Sequence, residues 1–373
     1  MTVAAGRDSE RSDRRDLFID TVRALSLIVV VVWHWVFSTI VWDASGPHAG
    51  NPIGTTRGLW MATWLLQVMP MFFFAGGYVH KLGWESSGGG WSWVIRRLRA
   101  LWAPALSLVV VGVAIYFAAG QIAPEADWIG TGIVLILSPL WFLIVYAMLV
   151  ATAPIWFWMH NRYGELAPVL LVGLAVVVDV LRFRYHVFGV EWINMLIVWA
   201  IPHQLGFYYD RFCKAPKRFA QALALSGFFA LFGLTNMGLY PRSMVGVPGE
   251  DFSNMGPPTL AIAALTILQV GVLMLMRERI MEWASKGWGE RIVTFAARNS
   301  MRIFLWHAPG YAIVYAIWRV LDLPGESPVV DGMWWLWRPL WLVAPIIPTA
   351  ILASTVGTLT IRPRHRAPTA LAT

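Results

Sequence analysis

The sequence predicts an all-α, polytopic membrane helical bundle of about ten transmembrane helices with both termini in the cytoplasm. Of its 373 residues, 58% are hydrophobic and 13% charged, against about 25% charged residues in soluble domains. Apolar runs near 20 residues, the length that crosses a bilayer, recur from Leu17 to Ile361 with short breaks and leave no stretch for a soluble domain. Lys and Arg crowd alternate loops, which fixes the orientation.

By the length rule the spans fall at about 17–42, 59–80, 98–119, 139–159, 165–182, 190–211, 217–237, 258–277, 300–320 and 336–361. Residues 1–16 and 362–373 are cytoplasmic tails around a membrane domain at 17–361. The first run follows a basic tail, as in a signal peptide, but its length to Trp42 exceeds a signal core of about 7–15 residues and predicts a retained signal anchor. The run from Trp128 to Trp158 is too long for one upright span, so residues 128–138 are expected to be interfacial or re-entrant, with a helix from about Pro139. Residues 280–298, IMEWASKGWGERIVTFAAR, read as an amphipathic segment on the membrane surface.

One side of the bundle collects Arg7, Arg11, Arg14, Arg15, Lys81, Arg96, Arg97, Arg99, Arg162, the 211–218 cluster, the 277–298 cluster, Arg362, Arg364 and Arg366. The other has Arg57, Arg182, Arg184, Arg242 and Arg338. The bias places both termini inside and turns the acidic loops EADW at 125–128 and DLPGESPVVD at 322–331 outward. The net charge of +8 therefore reflects membrane orientation, and a nucleic-acid partner is discounted. A single cysteine, Cys213, excludes an internal disulfide and makes redox chemistry an unsuitable reading. The 23 tryptophans fit interfacial belts, although some could stack on sugar rings. No repeat of solenoid period and no low-complexity tract is evident.

The first span, DTVRALSLIVVVVWHWVF at 20–37, carries Asp20, Arg23 and His34. At about 100° per residue, Asp20, Arg23, His34 and Ser38 share one face of an otherwise apolar helix. Lipid offers no hydrogen bonds, so this stripe must face the bundle interior or a wet cavity. Arg23 lies about one turn inside the cytoplasmic boundary and His34 about 16 Å further along. Arginine suits a phosphate or carboxylate, and histidine suits proton transfer. The plainer alternatives are that Arg23 snorkels to headgroups and that His34 makes an interhelical hydrogen bond. Asp43 falls about 180° around the helix from His34, so no carboxylate that would orient the imidazole is identified.

The second span ends in MPMFFFAGGYVHK at 69–81, where Pro70 breaks regularity and Gly76 and Gly77 permit close approach of a backbone or ligand. Arg96, Arg97 and Arg99 open the third span, as a phosphate clamp or as an ordinary positive-inside cluster. His203, His307 and Asp179 are read as structural, since interhelical bonds and ion pairs explain them.

These residues together resemble the bacterial type-three integral-membrane acyltransferases. The resemblance rests on Arg23 and His34 separated by ten residues, on FFFAGGY at 72–78, RRLRALWAP at 96–104, LWFLIVYAML at 140–149 and NSMRIFLWH at 299–307, in that order across about 17–360. Ala75 precedes Gly76 where many relatives have Ser before Gly, so no serine hydroxyl is assigned there. The sequence ends soon after its last span, and any transfer is expected to finish within the membrane domain.

The resemblance implies transfer of an acyl group, acetyl by default, from cytoplasmic acyl-coenzyme A to a hydroxyl on a glycan, glycolipid or small-molecule acceptor outside the cell membrane. The donor is then a substrate, and no tightly bound cofactor is expected. Arg23 would hold the donor's phosphates or pantetheine, with Arg96, Arg97 and Arg99 as further contacts. His34 would act at the thioester, as general base or by forming an acyl-imidazole. The competing readings are a transporter or flippase with an intramembrane Arg/His site, against which the lack of a repeat counts, and a sensor that binds an acylated ligand without turnover.

Overall fold

The computed structural model describes residues 16–43, 46–122, 125–126, 128–324 and 329–358. The tail arginines used in the orientation argument, and parts of both acidic loops, lie outside the described residues. Helix α1 (Leu17–Phe37) begins where Asp16 Oδ1 accepts from the amides of Phe18 and Ile19 at 2.9 and 3.2 Å, satisfying two of its orphan donors. The chain does not stay helical to Trp42. Ser38 is extended, and the Thr39-Ile40-Val41 run, with two side-chain branches at each Cβ, pairs as β1 (Thr39–Asp43) with antiparallel β2 (Gly46–Gly50). Asp43 therefore lies on a strand, and its helical phase relative to His34 has no meaning.

Helix α2 (Trp60–Leu66) breaks at Gln67 and Val68, just before Pro70, and α3 (Met69–Ser86) continues the segment. There follow α4 (Trp91–Ile122), α5 (Ile129–Leu137), α6 (Leu140–Ala151), α7 (Ala153–Tyr163) and α8 (Leu166–Phe183). Helices α5 and α6 bend by 49° at Ser138-Pro139, where the overlong run was expected to divide. A 3₁₀ turn leads to α9 (Asn194–Gly206), then α10 (Tyr209–Lys214), α11 (Lys217–Asn236), α12 (Leu260–Ala284), α13 (Gly287–Val320), α14 (Gly332–Val343) and α15 (Ile346–Ser354).

The 280–298 segment differs from expectation. It is split by a break at Ser285 and Lys286, and its second part is continuous with the ninth apolar run as the 34-residue α13. A Cβ on Gly289 would come 1.9 Å from the Trp283 carbonyl oxygen, so glycine lets the chain fold tightly here. Among the described residues, seven segments are long and apolar enough to cross a membrane, and the bent α5–α6 pair makes an eighth. The expected crossing at 190–211 is divided among a 3₁₀ turn, α9 and α10.

Packing follows from small residues at the crossings, as befits helices that gain nothing from water exclusion in lipid. A Cβ on Gly77 of α3 would lie 1.9 Å from the His203 carbonyl oxygen, and one on Gly206 of α9 would lie 2.0 Å from that of Phe74. Gly227 of α11 and Gly271 of α12 meet the facing backbone as closely, at 2.2 and 2.3 Å. The largest core cluster runs through Phe72, Phe73, Phe142, Tyr146 and Trp199, while exposed apolar groups such as Val110 and Phe117 on α4 form a surface suited to lipid.

Gly77→Ala is expected to lower stability by about 1–3 kcal/mol or more, because two backbones must part. Gly173→Ala on α8, where an added Cβ meets nothing within 4 Å, is expected to be neutral or to stabilise by up to about 1 kcal/mol. Thermal unfolding of both variants in the same detergent measures the difference.

Candidate active site

His34 lies three residues before the end of α1, and α13 packs along that helix. Its Nδ1 is 2.8 Å from Nε2 of His307, and the rings are parallel within 5°. His307 is 1% exposed, and its Nδ1 is 2.5 Å from the Phe304 carbonyl oxygen. A carbonyl can only accept, so His307 Nδ1 carries the proton and, in the neutral ring, Nε2 is the acceptor. His34 Nδ1–H then donates to it. The lone pair of His34 is thereby fixed on Nε2, which has no hydrogen bond to the protein among the described residues. The Trp35 indole N–H adds a bond to the His307 carbonyl oxygen at 3.2 Å and ties the same two helices.

The end of α1 is anchored as well. The Ser38 carbonyl oxygen accepts from Tyr311 Oη and from Arg338 Nη1, both at 3.4 Å. Arg338 is 3% exposed, donates from Nε to the Trp334 carbonyl oxygen at 3.2 Å, and lies 3.9 Å above the Trp334 ring. A cation at the carbonyl end of a helix complements its dipole, so Arg338 holds the turn that carries His34.

Half-buried His34 lines a cavity of about 740 Å³. The walls come from the last two turns of α1, the β-hairpin, α2, the start of α3, the α5–α6 bend and α13, and Phe142, Phe304 and His307 line the cavity together with His34. On α1 the wall reaches back to Val30, and Arg23 lies off it. The predicted stripe of Asp20, Arg23, His34 and Ser38 therefore does not line a single space. Ser38 has left the helix, and Arg23 is paired with Asp20 at 4.0 Å.

Arg23 belongs to a second polar centre. Its guanidinium lies 5.9 Å from the Phe72 ring, and its buried Nε has no hydrogen-bond partner. Near it, His80 Nδ1 is 3.0 Å from His203 Nε2, and Tyr146 Oη is 2.9 Å from His80 Nε2. Both imidazoles are fully buried. Whichever way the protons run along this chain, His203 Nδ1 is left unmatched, as are both amide atoms of Gln204. Arg23 and Arg97 are within electrostatic reach of His80. Of the three predicted arginines, Arg97 is the half-buried one, while Arg96 and Arg99 are exposed.

Between the centres stands an aromatic run. Phe72 touches Phe142 at 4.9 Å between ring centroids, Phe142 touches Phe304 at 5.2 Å, and Phe304 touches His307 at 5.6 Å. Asp179 is elsewhere and structural, accepting from Asn194 Nδ2, Tyr240 Oη and the Leu260 amide at 2.8–2.9 Å.

An imidazole with a fixed lone pair at the wall of an enclosed space, and a separate arginine centre, suit transfer between two substrates. A family model described as an acyltransferase domain matches residues 16–359. This chain belongs to that acyltransferase family. The match spans nearly all of the chain, so the protein is an integral-membrane acyltransferase, and the transporter and sensor readings give way to it. No curated protein and no solved structure matches the sequence.

Sequence reasoning ranked His307 and His203 as structural and passed over His80 and Tyr146. His80, Tyr146 and His307 lie in or beside the blocks that carried the family resemblance, whereas His203 lies outside them, so a polar ring within an apolar block was the usable signal for three of the four. In this acyltransferase His307 is a positioning residue for His34. His307→Ala is expected to reduce turnover about 10–100-fold with the donor's KM little changed, and His307→Gln, which can still accept from His34 Nδ1–H, to recover part of it. Equal loss in both variants, or a loss expressed in KM alone, would contradict that role.

Proposed function

We propose that this acyltransferase moves an acyl group, acetyl by default, from cytoplasmic acyl-coenzyme A to a hydroxyl of a glycan, glycolipid or other acceptor outside the cytoplasm. The observation that carries this reading is the lone pair of His34 Nε2, set at the wall of a cavity by a hydrogen bond from Nδ1–H to His307. The enzyme works in the plasma membrane with about ten crossings and both termini inside. Charge bias supports that orientation, since Lys and Arg crowd the loops on the side where α1 and α4 both begin.

The donor's adenine and phosphates are too polar for hydrocarbon and stay at the basic face with Arg23 and Arg97, aided by the exposed Arg96 and Arg99. The slender pantetheine arm reaches inward over about 16 Å of helix rise to the level of His34. His34 then serves as general base. Its Nε2 takes the proton of the acceptor hydroxyl while the oxygen attacks the thioester carbonyl, and the tetrahedral carbon collapses with cleavage of the C–S bond. The imidazolium returns the proton to the leaving thiolate, so the balance closes with one ester and one thiol. His307 supports this because its Nε2 accepts from His34 Nδ1–H in both charge states, steadying the cation as it forms.

Purified protein in nanodiscs with labelled acetyl-coenzyme A and a panel of hydroxylated glycans, glycolipids and small alcohols is expected to transfer label. His34→Ala should reduce transfer by about 10²–10⁴-fold while the protein still inserts; full activity would refute the assignment. In the absence of acceptor no label should stay on the protein, whereas a trapped acyl-protein would establish the acyl-imidazole route instead. Arg23→Ala is expected to weaken donor binding measured directly, and an unchanged affinity would leave Arg23 as an anchor at the membrane surface.

A further inference from the structure

The wall of the His34 cavity bears on the acceptor's chemistry. Several of its polar side chains are engaged with the protein itself. Asn51 donates from Nδ2 to the Gly246 carbonyl oxygen at 2.7 Å and accepts at Oδ1 from the Ile53 amide at 3.2 Å. Thr63 donates to the Trp60 carbonyl oxygen at 2.6 Å and accepts from the Met244 amide at 2.9 Å. Gln67 reaches Met255 Sδ through Nε2 at 2.8 Å and accepts from the Met69 amide at 3.3 Å. At the rim, the Trp42 indole N–H donates to Tyr315 Oη at 2.7 Å.

Ser38, Thr39, Ser138 and Arg319 add further polar groups, and most of the remaining surface is hydrocarbon and aromatic. On α13, Ala308, Ala312 and Ala316 recur every fourth residue and present a smooth stripe to the cavity. The rings of Trp33, Phe37 and Trp141 also line it. A free sugar would have to bring several hydroxyls out of water against a wall that is mostly apolar, and buried unpaired hydroxyls oppose binding. An apolar body loses nothing of that kind and gains from leaving water. The volume, about 740 Å³, lies within the range of about 300–1,000 Å³ that holds a whole small molecule.

We propose that the cavity binds an acceptor alcohol with an apolar or aromatic body, its reacting hydroxyl directed to His34 Nε2. This rests on the reading of His34 as the reaction centre and narrows the acceptor class from hydroxyl compounds in general to hydrophobic or lipid-like alcohols. The occupant is the acceptor, not the donor's acyl chain, because the cavity extends from His34 away from Arg23, toward the β-hairpin. Arg319 and Val320, both exposed and at the end of α13, also line it.

Equilibrium dialysis of the protein in nanodiscs, without donor and against empty nanodiscs, tests this with labelled 2-(2-naphthyl)ethanol and labelled methyl β-glucoside. Saturable binding of naphthylethanol at least tenfold tighter than the glucoside is expected, and Ala312→Phe, which fills the stripe, is expected to weaken it at least fivefold. Equal affinities, or naphthylethanol uptake that does not saturate, would overturn the proposal, and this wild-type comparison stands whether or not the variant folds. Displacement of the probe by octanoyl-coenzyme A but not acetyl-coenzyme A would also overturn it, since the donor's chain would then be the occupant. Label transfer from acetyl-coenzyme A to the bound alcohol supports both readings. Tight binding without transfer supports the apolar site and counts against the acyl-transfer chemistry assigned to His34.

Discussion

An imidazole placed among apolar helices has two nitrogens to match, one a donor and one an acceptor when the ring is neutral, and lipid supplies neither partner. The bundle meets this demand twice by setting one histidine against another. His34 with His307 joins α1 to α13, and His80 with His203 joins α3 to α9. Two adjacent imidazolium ions would repel each other and would each lose hydration, so such pairs favour at least one neutral ring. The backbone carbonyl of Phe304 completes the first pair by fixing which nitrogen carries the proton. The second pair is completed on one side by Tyr146 and left open on the other at His203 Nδ1. Helix contact depends on the same requirement. Glycines at 77 and 206 bring the α3 and α9 backbones close enough for His80 and His203 to meet.

The difference in completion has a chemical meaning. At the cavity, the nitrogen left without a protein partner belongs to a half-buried ring, where a substrate or water can reach it. In the inner pair it belongs to the fully buried ring of His203, next in the chain to Gln204, whose amide is also unmatched. The first arrangement holds a reactive lone pair in position, as a general base requires before geometry and basicity can act together. The second is a polar core with Arg23 and Arg97 at its margin, the arginines to which the proposed function assigns the donor's phosphates.

Much of this was readable in the sequence, and the reasons for the rest are physical. Apolar run length located the helices because each span must be hydrophobic along its whole length. It did not locate the end of α1, since Thr39, Ile40, Val41 and Trp42 are as apolar as a helix tail, and only pairing with β2 decides their conformation. Nor did it join residues 287–298 to the ninth run, because polar residues on one face suit both a surface helix and an extension of a buried one. Arg23 and His34 stood out because ionisable groups in a span are costly. Helical phase alone put them on one face, yet phase says nothing of what stands opposite, and Phe72 beside Arg23 and His307 beside His34 make two different surroundings. Partners 123 and 273 positions apart in the chain are products of packing.

The aromatic run between the two centres follows from the same division. Phe72 faces Arg23, Phe304 faces His307, and Phe142 touches both phenylalanines. A membrane enzyme that uses a thioester from one side and an alcohol from the other has to let a narrow arm through without opening a water path, because water at an activated thioester would hydrolyse it. Phenyl rings suit that place. They close on one another without leaving polar groups unmatched, and a slender chain can part them by rotation about two side-chain torsions each. Much of the cavity beyond is walled by similar groups, so the acyl carbonyl of the proposed donor would emerge into a mostly apolar space where His34 offers a lone pair.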